Sequence, residues 1–248
     1  RGLGDVYKRQ VGVNARVLTL NNSWTLEPRA GIKWQFSPKS SFALAYGLHS
    51  RMEKMDVYFV KTQGTGDRSV NKDLGFTRAH HVMLSYGFKI SDNMNMKIEP
   101  YFQQLYDVPV IADSSYSVLN RRDFYVENAL VNRGKGRNIG VDITLERYLN
   151  KGLYYMVTAS IFDSKYYGGD RKWRNTLYNR TFIINVLGGK EWMVGRDKQN
   201  MFSVNFKITL QGGDRYAPVD EVATLLDPDR EVQYLSLIHI SEPTRQAE

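Results

Sequence analysis

The sequence predicts an all-β protein, specifically an antiparallel transmembrane β-barrel fragment of about nine strands forming an open curved sheet. Three observations predict it. Apolar residues recur with a period of two rather than 3.6. The alternating runs reach the roughly 9–11 residues that a tilted membrane-spanning strand needs. Short turns trade places with long polar connections, the asymmetry of barrels whose turns face the periplasm and whose loops face outward.

Taken in order, the strands begin with the run from Val11 to Leu20. A short linker at 21–25 leads to Ala30, Ile32, Trp34 and Phe36, which alternate with Arg29, Gly31, Lys33 and Gln35. After Ser37-Pro38-Lys39-Ser40 the pattern restarts with Phe42, Leu44, Tyr46 and Leu48 on one face. Val82, Leu84, Tyr86, Phe88 and Ile90 form the next face, and Ser91-Asp92-Asn93 turns the chain. Met94, Met96, Ile98, Pro100 and Phe102 follow. Pro100 lacks a ladder donor and predicts a local bulge. Ile139, Val141, Ile143 and Leu145 precede a turn at 150–152, after which come Leu153, Tyr155, Val157, Ala159 and Ile161. Phe182, Ile184 and Val186 make one more strand, and Phe202, Val204, Phe206, Ile208 and Leu210 make the last. Long polar segments at 50–75, 105–136 and 163–179 are the predicted outer loops.

Composition removes several other classes. With 42% hydrophobic and 24% charged residues the chain has enough apolar surface to fold. It has no cysteine, which excludes disulfides and thiolate zinc sites. No apolar run approaches the ~18 residues of a membrane-spanning helix. The net charge of +8 is spread along the chain. Its densest clusters, Arg121-Arg122, Arg133 to Arg137 and Arg171 to Arg174, fall in predicted loops, without the arginine-rich arm of a nucleic-acid binder.

The two ends break the alternation. Residues 1–10 (RGLGDVYKRQ) and 235–248 (LSLIHISEPTRQAE) resemble translated sequencing-adapter read-through. The expected division is therefore a non-native leader at 1–10, a partial barrel domain at 11–234 and a non-native tail at 235–248. On that division the lack of a leader peptide at the start says nothing about location.

Aromatic rings flank the short turns: Phe36 and Phe42, Phe88, Tyr148 with Tyr154 and Tyr155, and Trp192 with Phe202. Rings at one end of successive hairpins read as an interfacial girdle, since an amphipathic ring settles at headgroup depth. The opposite face carries Lys33, Lys97, Glu99, Asp142, Glu146 and Lys207, as the wall of a wet lumen would.

Five segments carry a resemblance: LEPRAGIKWQFSPKSSFALAYGLHSR (26–51), KIEPYFQQLYDVPV (97–110), NRGKGRNIGVDITLER (132–147), GLYYMVTASIFDSKY (152–166) and FKITLQGGDRYAPVD (206–220). In this order and spacing they resemble the C-terminal half of the barrel of TonB-dependent outer-membrane receptors. The resemblance implies a larger barrel of ~22 strands with an internal plug, in the outer membrane of a Gram-negative bacterium. It implies three partners: the lipid bilayer, a TonB-type energy-coupling protein acting through the plug region, and an imported bulky ligand such as a metal chelate, cobalamin or oligosaccharide. The sequence contains no plug and no coupling box. The alternatives are a small closed barrel (porin, adhesin or barrel enzyme) and a soluble carbohydrate-binding β-sandwich.

No catalytic motif is present, and neither a cofactor nor a metal is expected. Gly134-Lys135-Gly136-Arg137 lacks the Ser or Thr of a phosphate loop and reads as the start of the strand at 138. His80 and His81 cannot share a metal, because neighbours in a strand point to opposite faces. Recognition is expected in the long loops. There Tyr116, Arg121, Arg122, Tyr125, Tyr167 and Trp173 are the candidate ligand contacts, a mixture suited to sugars or anionic chelates. Tyr106, Phe124, Tyr166 and Arg174 lie beside them.

Overall fold

A computed structural model describes residues 6–62, 69–120, 126–215 and Leu225. Each apolar-alternating run becomes a strand, and the turns between them fix the order. The strands are β1 (Val6–Leu18), β2 (Ser23–Gln35), β3 (Ser40–Arg51), β4 (Thr77–Ser91), β5 (Met94–Val110), β6 (Val131–Asn150), β7 (Leu153–Tyr167), β8 (Trp173–Asn175), β9 (Phe182–Val194) and β10 (Asn200–Gln211). A single helical turn, α1 (Met55–Tyr58), sits in the β3–β4 loop, and a 3-10 turn spans Val118–Asn120.

All pairings are antiparallel, and the sheet runs β1-β2-β3-β4-β5-β6-β7-β9-β10, with β8 folded back on β7. Among the described residues β1 and β10 each pair on one side only, so the sheet is open, as expected.

The registers align the apolar sets across every strand. Ala30, Ile32 and Trp34 stand opposite Tyr46, Leu44 and Phe42, which stand opposite Val82, Leu84 and Tyr86. The band continues through Ile98 and Phe102 to Ile143 and Ile139. It then crosses Ala159 and Ile161 and reaches Ile184, Val186, Leu210 and Ile208. These side chains lie in rows on one exposed face. The other face carries the predicted polar set, with Glu99 opposite Asp142 and Lys97 opposite Thr144.

Several boundaries differ from expectation. β5 and β6 run well past the apolar band, to Val110 and from Val131, so 105–110 and 131–136 are strand rather than loop. The apolar residues of 105–110 do not keep period two, because the register shifts between Leu105 and Val108, and 132–136 is polar or glycine, so alternation gives no signal there. The Arg133 to Arg137 cluster therefore lies within β6. β1 starts at Val6, because backbone pairing with Gly31 to Gln35 is indifferent to side-chain pattern. Pro100 makes no bulge: Met83↔Tyr101 and Tyr86↔Ile98 share one register, and Pro100 pairs with Val141 in β6. Its missing donor removes a rung without inserting a residue. The register shifts lie elsewhere, at Lys89/Ser91, Arg147/Asn150 and around Leu105/Val108.

The buried core is not on the sheet's apolar face. It lies at the loop end, where Leu18, Val57, Tyr58, Leu74, Phe76, Val108, Val118, Val126 and Leu130 pack together. Gly134 and Gly136, read from sequence as the start of a strand, are where this cap meets β6. A Cβ on Gly134 would strike Val110 and lie 2.9 Å from the Val108 carbonyl oxygen. One on Gly136 would lie 2.6 Å from Leu119 Cδ1. We therefore expect Gly134→Ala to destabilise the chain by about 1–3 kcal/mol, since backbone atoms cannot yield as a side-chain tip can. Gly12→Ala, whose Cβ would meet nothing within 4 Å, should be neutral in the same thermal melt.

Candidate functional site

The loop end of the sheet gathers the chain's distinctive polar chemistry, and it begins at Glu27. The β2–β3 ladder stops at Arg29↔Gly47. Beyond it the Glu27 carboxylate does the work of the missing rungs. It accepts from the Ser50 backbone N–H at 3.0 Å, the Ser50 hydroxyl at 2.6 Å and Asn14 Nδ2 at 3.0 Å. Arg16 and Arg29 pair with its two oxygens at 3.2 and 2.9 Å. The side chain is fully buried, yet its acceptor positions are filled, which is the condition for burying a charge. Arg16 also donates to the Ser50 carbonyl at 2.9 Å, so one carboxylate and one guanidinium lock β1, β2 and β3 together.

The three long loops are then stitched to one another. Asn71 donates to the Asn128 carbonyl at 3.0 Å and accepts from the Leu130 N–H at 2.7 Å, joining the β3–β4 and β5–β6 loops. Asn132 accepts from Gly75 N at 2.9 Å and donates to the Asp107 carbonyl at 2.7 Å, where the chain takes a left-handed conformation (φ 55°). The β7–β9 connection joins them through Leu177 N to Asn120 Oδ1 at 2.6 Å and Asp170 N to the Ser114 carbonyl at 3.0 Å. With α1 burying Val57 and Tyr58 underneath, these loops form one packed cap.

Below the cap, on the polar face, a donor chain crosses the sheet. Thr176 Oγ1 donates to Ser164 Oγ at 3.0 Å, Ser164 to Asn138 Oδ1 at 2.7 Å, and Asn138 Nδ2 to Gln103 Oε1 at 2.5 Å. Gln103 Nε2 lies 2.6 Å from His81 Nε2. Successive donors point the same way, an arrangement in which each bond polarises the next. His81 ends the chain with its ring 4.6 Å from that of His49, while Arg29 and Met83 line the same hollow. His80 points the other way, as alternation requires, and takes the Tyr46 hydroxyl at 2.9 Å and the Tyr106 ring at 5.2 Å.

The sequence-predicted contacts separate into different places. Tyr116 packs against the cap core. Arg121, Arg122 and Tyr125 lie outside the described residues, as does Phe124. Tyr167 and Trp173 are strand residues rather than loop residues and pair directly, with ring centroids 5.4 Å apart. They share the apolar face with Ile139 and Ile161, because Lys135 opposes Tyr167 and Arg137 opposes Lys165. Their neighbour Tyr166 points the other way and is fully buried.

Among the described residues no group of three or more His, Asp or Glu is placed to hold a metal ion. The Glu27 hub and the donor chain were not legible from the sequence. Their members come from different strands, and in Thr176 from the turn after β8, so only the tertiary structure brings them together.

No family profile matches the chain, and no curated protein matches it. Among solved structures the chain is similar to the FrpB iron transporter from Neisseria meningitidis (F3-3 variant), at 14% identity and a TM-score of 0.44. The alignment covers 75% of this chain and 31% of that one, so this chain spans less than a third of the transporter's length.

Two outcomes test the site's construction. Glu27→Gln should lower stability by about 1–3 kcal/mol in a thermal melt, below the full cost of breaking a buried pair because both arginines are half-exposed. Asp170 gives a pH signature. Arg174 donates to it at 2.9 Å through Nη1, and this holds the carboxyl below the ordinary aspartate range. Its folded value lies below its unfolded one. The ion pair's contribution is thus complete above the unfolded value of about 4 and is lost as pH falls through the folded value. Proteolysis within 168–181 should accelerate on acidification through that window in the parent chain. In Asp170→Asn it should be fast at every pH.

Proposed function

We propose that this chain is wall and outer mouth of a TonB-dependent outer-membrane receptor, one that imports a bulky, scarce ligand. The observation that carries the reading is the apolar band, which is exposed, lies on one face and stays in register from Ala30 to Ile208. A soluble sheet would cover such a face, since contiguous exposed apolar surface marks an interaction. Lipid is the covering that suits a band crossing every long strand. Only a sheet whose backbone groups pair internally can occupy that medium.

Among the described residues the outer edges of β1 and β10 are unpaired, which supports an arc of a larger closed barrel, because an open edge is not tolerated in hydrocarbon. The polar face with its donor chain would line the lumen, and the stitched loops would form the outer mouth. Tyr116, which packs against the cap core, is a proposed ligand contact; Arg121, Arg122 and Tyr125, outside the described residues, are proposed as contacts on the sequence pattern alone. Ligand class (metal chelate, cobalamin or oligosaccharide) and coupling to a TonB-type partner through a plug rest on the sequence resemblance. Arg9, on the apolar face opposite Ile32, supports treating 1–10 as a non-native leader, with the native stretch at 11–234 and a non-native tail beyond it.

Because the chain has no cysteine, single-cysteine labelling can test the reading directly. In detergent-folded chain, Leu44→Cys, Leu84→Cys, Ile143→Cys and Val186→Cys should resist a charged, water-soluble maleimide. Ala43→Cys, Ser85→Cys, Thr144→Cys and Asn185→Cys should react. Equal labelling of both sets in a monodisperse, detergent-free chain would overturn the membrane reading.

A further inference from the structure

Just past the apolar band, toward the loops, the lipid-side face changes character in two successive rows. The first runs His80, Gln104, Arg137, Lys165 across β4 to β7. The second holds Arg78 opposite Tyr106 at one end and Tyr167 opposite both Lys135 and Trp173 at the other. This face therefore carries four cations directly above Val82, Phe102 and Ile139. The acids in reach are fewer: Asp107 stands 3.6 Å from Arg78 and Asp163 stands 3.3 Å from Lys165. Lys135 and Arg137 make no ion pair among the described residues. Instead each lies over a ring, Lys135 Nζ 5.7 Å from the Tyr167 centroid and Arg137 5.6 Å from that of Trp173.

We propose that this patch, centred on Lys135, Arg137, Tyr167 and Trp173, binds the phosphate-bearing headgroup of a lipid in the leaflet on the loop side. The inference rests on the membrane-spanning reading above and adds a ligand to it. Rings stacked under a cation hold its head group at the surface while leaving its N–H donors directed outward. Trp and Tyr settle at headgroup depth. The band two residues below would receive the acyl chains of the same molecule, so one lipid satisfies both rows. Charge complementarity selects an anionic headgroup over a zwitterionic one. A polar-face ligand would not reach these side chains, because they project from the opposite side of β6 and β7 from Asn138 and Ser164.

The test uses the full chain in dodecylmaltoside micelles, with native mass spectrometry of added lipid A or phosphatidylcholine. Lipid A should be retained at a concentration about 25-fold lower than phosphatidylcholine, with Lys135 and Arg137 contributing about fivefold each. The double variant Lys135→Gln/Arg137→Gln should abolish that preference. Lys33→Gln/Lys207→Gln, on the polar face, should leave it intact. Equal retention of the two lipids by a micelle-bound chain would overturn the site while sparing the membrane reading. So would a preference lost only in the polar-face variant. A chain that stays monodisperse without detergent would overturn both.

Discussion

Side chains alternate along a strand with period two, so a one-residue slip in any pairing would move that strand's apolar set to the polar face. Eight long strands, β2 to β7 with β9 and β10, must each hold their register for the band from Ala30 to Ile208 to exist. The tight turns at 36–39, 92–93, 151–152 and 195–199 set those registers, and their positive-φ residues include Lys151, Gly152, Gly195 and Lys198. Where the backbone needs an irregularity, the shifts fall at the ends of the strands, at Lys89/Ser91, Leu105/Val108 and Arg147/Asn150, leaving the band itself intact.

This constraint explains why the core sits where it does. This sheet, with one exposed apolar face and one polar face, has no second layer among the described residues to pack against, so neither face supplies a buried interior. The loops supply it instead. Val57, Tyr58, Phe76 and Val108 bury themselves over the sheet's upper end, and Asn71, Asn132 and Asn120 tie loop to loop and loop to strand. Glu27 extends the same function to β1–β3, replacing ladder hydrogen bonds with charge-assisted ones where the strands splay. Order in the loop cap therefore comes from polar stitching at least as much as from apolar burial.

Adjacent residues in the upper strands lie on different faces of the sheet. Tyr166 is buried beneath the cap while Tyr167 joins Trp173 on the opposite face. His80 stacks between Tyr46 and Tyr106, while His81 ends the donor chain beside His49. A single strand thus contributes alternately to the two faces of the sheet, and a cluster of aromatic and basic residues in sequence divides into two surfaces in space.

The sequence by itself determined the all-β class, the strand order, the two faces and the short-turn, long-loop asymmetry. All of these follow from local alternation and turn chemistry, which act over a few residues. It also placed Lys33, Lys97, Glu99 and Asp142 together on the polar face, since parity within a strand is a local property. It misplaced the upper ends of β5, β6 and β7, where period two fails: Leu105 and Val108 lie across a register shift, and 132–137 and 163–165 are polar or glycine. Only the tertiary structure decided that Glu27 would gather Arg16, Arg29, Asn14 and Ser50, that Thr176 would donate down a chain to His81, and that Trp173 would belong to the apolar face rather than to a loop. Those meetings depend on which residue of one strand stands opposite which of the next. Turns and apolar parity fix the register of each hairpin, but which polar side chains then come within reach across several strands depends on the assembled sheet and loops, and no pattern within one segment encodes it.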